Sequence, residues 1–198
     1  MAAVINRKGA KIQDPLFVQK LLSDPRAGLL WLPLRIWLGY QWFEAGIHKI
    51  NNPAWMVTGA ALKGFWINAL KITDPARPTI VFGWYRTFLQ FLVDAQAYTW
   101  FAKAISVGEL LVGIGLILGA FTGIAAFFGG LMNWNFMMAG SASTNPMLFL
   151  IAVGLILAWK VAGYYGADFL LLRSLGTPWQ PVLKRGEAST QPEMAGTD

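Results

Sequence analysis

The 198-residue chain has no cysteine and a single histidine, His48. Without thiols it can form no disulfide, thiol relay, cysteine-held iron–sulfur cluster or thioether-attached haem. With one imidazole, a haem held by two histidines of the same chain is excluded too, and no haem, iron–sulfur centre or other metal is expected in this chain. Charge is also scarce: 13% of residues are Asp, Glu, Lys or Arg, against roughly 25% in soluble domains. A surface so poor in charge suits lipid better than water.

Apolar residues make up 56% of the chain, concentrated in four runs at about 28–48, 97–119, 121–140 and 146–165. Each is close to the roughly 20 residues a helix needs to cross a bilayer core of about 30 Å. The expected fold is therefore all-α: a polytopic membrane four-helix bundle, with amphipathic or re-entrant helices in the long loop between spans one and two. Residues 1–27 read as a cytoplasmic N-terminal segment, 28–172 as the membrane domain and 173–198 as a cytoplasmic polar tail. The first apolar run follows a mixed-charge stretch, so no cleavable signal peptide is expected.

The net charge of +6 does not point to nucleic acid, because the basic residues are scattered and several flank the first and last spans. Arg7, Lys8, Lys11, Lys20, Arg26, Arg173, Lys184 and Arg185 would all lie inside if both termini are cytoplasmic. That is the positive-inside pattern of a protein of the cytoplasmic (inner) membrane. Trp31, Trp55, Trp100 and Trp179, near the ends of apolar runs, suit an interfacial belt. The long connection holds two amphipathic pieces, near 54–70 and 79–94, separated by the breaker run Thr73-Asp74-Pro75-Ala76-Arg77-Pro78.

Ionisable residues inside a bilayer need a partner or a polar cavity, which makes them the informative positions. Residues three and four apart share a helix face. Arg35, Gly39, Trp42, Gly46 and Lys49 form one such stripe, Gln41, Glu44 and His48 a second beside it. Ala102, Ser106, Glu109 and Gly113 repeat the pattern in the second span, and Gly129, Asn133 and Met137 share a face in the third. Starting each span at a membrane face and counting about 1.5 Å per residue sets Arg35 and Glu109 at similar depth. An inner Arg35–Glu109 ion pair is expected from this. The same ruler gathers Glu44, His48, Lys49, Lys103 and Asn133 into an outer polar layer, with Glu44 opposite Lys103.

The pattern Arg35, Gly39, Phe43, Gly46, Lys49 and the run from Gly108 to Gly119 (GELLVGIGLILG) resemble the DoxX superfamily of four-helix membrane proteins. Ala61-Leu62-Lys63-Gly64-Phe65, Asn145-Pro146 and Gly163-Tyr164-Tyr165-Gly166-Ala167-Asp168 resemble its DoxD branch more narrowly. The resemblance covers roughly residues 28–172. It implies the large subunit of a thiosulfate:quinone oxidoreductase, which joins two thiosulfates into tetrathionate, reduces quinone as its electron-accepting substrate and works with a small DoxA-like subunit. Homo-oligomers in the bilayer are a further expected partnership.

On that reading, Lys49, Lys103, His48 and Lys63 would attract the thiosulfate dianion. Glu44 or Glu109 with His48 would relay the protons that quinone reduction consumes. Trp42, Trp134 and Met137 would flank the quinone ring, with Asn133 and Arg35 as further polar contacts. The alternatives are a non-catalytic membrane module that anchors a redox partner or binds a lipid-like molecule, and a small-anion transporter. The last lacks an evident inverted repeat.

Overall fold

The computed structural model describes residues 4–5, 11–12, 14–72 and 78–176. The expected polar tail beyond residue 176, Trp179, the basic residues Arg7, Lys8, Lys184 and Arg185, and residues 73–77 of the breaker run lie outside the described residues. The fold is all-α: apart from a two-residue antiparallel pairing of Val4–Ile5 with Lys11–Ile12, every regular element described is helical.

Four segments pack in a ring, α2 (Gly28–Ile50) on α6 (Tyr98–Leu118), α6 on α7 (Thr122–Met138), α7 on α8 (Asn145–Leu157), and α8 back on α2. Their limits follow the sequence punctuation. Pro146 starts α8, where its missing N–H costs nothing. Gly119 ends α6 in the left-handed region, with Ala120 N–H donating to the Gly115 carbonyl at 2.8 Å. The fourth apolar run does not continue as one helix; it breaks at Ala158 into α8 and the short α9 (Trp159–Ala162), and α10 (Asp168–Ser174) closes the described chain. Of the described helices, α6 alone is long and apolar enough to cross a membrane.

Glycines set how closely the helices approach. A Cβ on Gly46 would meet the Leu110 backbone at 2.6 Å, and one on Gly39 the Ile117 backbone at 2.9 Å. The antiparallel pair α2 and α6 therefore packs backbone to backbone, and Gly39, in the middle of α2, lies against the last residues of α6. Trp31, Leu38, Trp42, Val112, Leu116, Ala152 and Leu155 fill the ring beside this seam.

The long connection forms a second layer at one end of the ring. It consists of α3 (Pro53–Met56), α4 (Ala60–Leu70) and α5 (Gly83–Asp94). Asn52 caps α3 by accepting from Ala54 N–H at 2.9 Å. Leu62, Trp66, Tyr85, Leu89 and Ala102 make a core of their own beneath it. Tyr85 fastens the layer to α7 by donating to the Asn135 carbonyl at 3.0 Å. At the other end, residues 16–23 of the expected polar lead-in form a helix, α1 (Leu16–Ser23), whose Leu21 carbonyl accepts from Trp31 Nε1 at 3.0 Å.

Many large apolar side chains are exposed, and several polar ones are buried. Leu111 (62% exposed), Ile124, Phe127 and Leu150 face outward, whereas Arg35, Ser106, Glu109, Thr122, Asn133 and Asp168 are buried.

Candidate functional site

Arg35 and Glu109 do not form the expected ion pair. Arg35 lies at the α1 end of the ring, where its two terminal nitrogens donate to the Ala162 carbonyl at 3.3 Å and the Tyr165 carbonyl at 3.1 Å. Its guanidinium packs on Gly119 and Gly166. The Asp168 carboxylate, near enough for its charge to favour the guanidinium, makes no ion-pair contact with it. That carboxylate accepts from the N–H groups of Phe121 at 2.5 Å and Thr122 at 2.9 Å, the first turn of α7. A carboxylate at a helix N-terminus satisfies donors that have no partner within the helix. Arg35 and Asp168 thus tie α2, the α6–α7 turn and the α9–α10 connection into one knot.

Glu109 pairs instead with Lys49, Nζ to Oε2 at 2.5 Å. The depth estimate failed because the helices do not begin in one plane. The N-terminal part of α2 runs past the end of α6, so Lys49 reaches Glu109 while Arg35 reaches Gly119.

The Lys49–Glu109 pair lines a polar cavity of about 340 Å³ under the connection layer, within the range of about 300–1,000 Å³ usual for small-molecule sites. Gln41 and Trp42 of α2, Asn133 and Phe136 of α7, and Asn145 at the start of α8 line it, with Trp55 and Phe65 above. Lys49 Nζ also stands 5.1 Å from the centre of the Trp55 ring.

Two buried groups in this wall have no hydrogen-bond partner among the described residues. One is the Asn133 carboxamide, both its Nδ2 and its Oδ1; the other is Trp42 Nε1. Asn133 is fully buried and Trp42 is 3% exposed. Leaving a buried donor or acceptor unpaired costs about 1–3 kcal/mol. Gly129, one turn from Asn133, makes room for the indole, since a Cβ there would come within 2.9 Å of Trp42 Nε1.

The arrangement is an aromatic-walled slot with donors, an acceptor and no net charge. It suits a flat neutral molecule bearing carbonyl or hydroxyl oxygens better than a dianion.

The other expected site residues lie elsewhere. Glu44 and His48 pair with each other at 3.9 Å on the exposed face of α2, so Glu44 does not meet Lys103. Lys103 is exposed on α6, outside the cavity lining. Lys63 is exposed over the Tyr98 ring, 5.0 Å from its centre. Trp134 stacks on Trp84 with ring centres 6.3 Å apart, and Met137 is half-buried; neither lines the cavity. The expected outer layer therefore keeps Lys49 and Asn133, gains Glu109, and loses Glu44, His48 and Lys103 to the exterior.

Trp55, Phe65, Phe136 and Asn145 were not singled out for a site in the sequence. The Asn145-Pro146 pair and the Phe65 stretch were visible as motifs, but only the fold turns them toward one cavity. No protein-family model matches the chain, and neither a curated protein nor a solved structure is significantly similar to it.

Proposed function

We propose that the chain is a membrane-bound quinone-reducing subunit of the DoxX superfamily, DoxD branch, which passes electrons from thiosulfate to quinone. The polar cavity receives the quinone headgroup in this proposal. The observation that carries it is the buried, unpartnered Asn133 and Trp42 beside the Lys49–Glu109 pair. A quinone carbonyl would accept from Trp42 Nε1 or Asn133 Nδ2, and the ring would lie between Trp55, Phe65 and Phe136.

α2, α6, α7 and the α8–α9 pair would cross the cytoplasmic membrane as a four-helix bundle, both termini inside. The many exposed apolar side chains and the burial of Arg35, Glu109, Asn133 and Asp168 support this, since lipid would replace water around the apolar surface and ionisable groups within a bilayer need partners or a polar cavity. The resemblance of the α2 and α6 stripes to the superfamily pattern supports the assignment.

In the reaction, two thiosulfates join through a new sulfur–sulfur bond to give tetrathionate and release two electrons. Quinone takes both, with two protons, to become quinol. Lys49 is the group best placed to hand a proton to a reduced oxygen, and Glu109 holds it there and receives the next proton. Lys63, Lys103 and His48 are exposed, where water and salt screen their attraction for a dianion. Thiosulfate would therefore be bound together with a small DoxA-like subunit at the outer face.

The exposed positions of Glu44, His48 and Lys103 favour a second reading: a non-catalytic module that binds a lipid-like molecule. One assay separates the two. The purified chain, with and without its small partner, is given thiosulfate and decylubiquinone, and quinol formation is followed. We expect turnover that Glu109→Gln lowers about a hundredfold or more, the usual scale of an acid–base contribution. Quinone binding without thiosulfate-dependent reduction in either preparation would overturn the enzyme reading in favour of the second.

A further inference from the structure

Three cavities in this molecule share walls. The polar one shares Phe65 and Phe136 with a second, of about 180 Å³, enclosed between the α4–α5 layer and the α6–α7 pair. The second shares Phe101, Ile105, Leu131 and Met132 with a third, a groove of about 660 Å³ on the outer face between α6 and α7. Together they run from the Lys49–Glu109 pair to the apolar exterior.

The chemistry changes steadily along that line. The first cavity carries an ion pair and amide side chains. In the second the polar residues are Tyr85 and Asn135, which are hydrogen-bonded to each other. The third is lined by no polar side chain at all, and Ala104, Gly108 and Gly115 give it depth. Between the first and second, Phe65 and Phe136 meet edge to face, ring centres 6.1 Å apart. A polar cavity, a small mixed one behind an aromatic wall and an apolar groove, set side by side in that order, have the polarity profile of an amphiphile.

We propose that the three cavities seat one amphiphile, its flat neutral head against Asn133 and Trp42, its hydrocarbon tail passing Phe65–Phe136 and leaving along the α6–α7 groove. This rests on reading the polar cavity as a headgroup site and adds the route, the tail and the gate. A headgroup that came from water would need no groove toward lipid. A tail already in the bilayer reaches this groove without crossing a polar surface.

The test compares two quinones on the full-length chain in nanodiscs: duroquinone, which has no tail, and decylubiquinone. Binding is read as quenching of tryptophan fluorescence and expressed for each ligand as the ratio of variant to wild type, so that partition into lipid cancels. Gly108→Phe obstructs the groove, and a Cβ there meets only Met132 Sδ, at an ordinary 3.8 Å. Ala104→Phe obstructs it from a neighbouring position of the same lining.

Both variants should weaken decylubiquinone by about tenfold, a loss of about 1.4 kcal/mol of packing in the groove, and leave duroquinone unchanged. Asn133→Leu should weaken both ligands alike. If the groove variants bind decylubiquinone as wild type does, or weaken both ligands equally, the tail route is wrong while the headgroup site stands. If wild type binds neither quinone, the headgroup reading falls, and the route with it.

Discussion

The two ends of the helix ring both bury a cation and a carboxylate, yet they treat them differently. At the α1 end the guanidinium of Arg35 meets two carbonyls and the Asp168 carboxylate meets two N–H groups. At the other end Lys49 and Glu109 meet each other, and the Asn133 carboxamide and Trp42 Nε1 beside them have no hydrogen-bond partner among the described residues. Charge inside a low-dielectric ring is thus no guide to function by itself. What separates the ends is what the charged groups meet and the space beside them. The knot sets its guanidinium and carboxylate on backbone carbonyl and N–H groups and holds helices together, although Arg35 Nε and Thr122 Oγ1 there also lack a partner among the described residues; the Lys49–Glu109 pair instead lines a cavity large enough for a ligand.

The largest effect should come from breaking the knot. Asp168→Ala removes the acceptor of two N–H groups and a carboxylate whose charge favours buried Arg35, at about 1–3 kcal/mol for each buried group left unpaired. Thermal unfolding in detergent should show a large drop in Tm, and an unchanged Tm would mean the knot is not structural. The opposite sign is expected in the cavity. Asn133→Leu removes two unpartnered polar atoms at similar volume and should raise stability by about 1–2 kcal/mol, while weakening quinone binding. A destabilised Asn133→Leu would mean the carboxamide is satisfied within the fold, and the contrast between the ends would collapse.

The smallest effect sharpens the comparison at its edge. Tyr85→Phe removes one hydrogen bond from the connection layer to α7, worth about 1 kcal/mol. Burial pushes the Tyr85 phenol up to about 12, so the donor persists across the neutral range and the loss should not vary with pH there. Hydrogen exchange should quicken in α4 and α5 while the protection of Phe121 and Thr122 amides, at the other end, stays the same.

Much of this was legible from residue order. The stripes Arg35–Gly39–Trp42–Gly46 and Ala102–Ser106–Glu109–Gly113 are buried as their spacing implies, because the period of a helix decides which side chains share a face. The helices begin and end near the punctuation of Gly119, Pro146 and Asn52. What periodicity cannot give is the lengthwise offset between two neighbours. That offset was fixed by the glycines at 39, 46 and 113, which let α2 and α6 touch only in one register, and it exchanged the partners of Arg35 and Glu109. Nor could spacing tell which polar stripe turned outward: Gln41 reaches the cavity edge, whereas Glu44 and His48, about one and two turns further on, stay exposed.

Asp168 also has a place in time. A ribosome makes Arg35 first, the α6–α7 turn much later, and Asp168 later still. Until that residue arrives, Arg35 lacks the nearby carboxylate and the first N–H groups of α7 have no cap. The ring can assemble loosely before then, but it can lock only when nearly all of the described chain has been synthesised. A nascent chain halted before residue 168 would therefore hold its helices in an unlatched state, open to quality-control proteases that the finished protein resists.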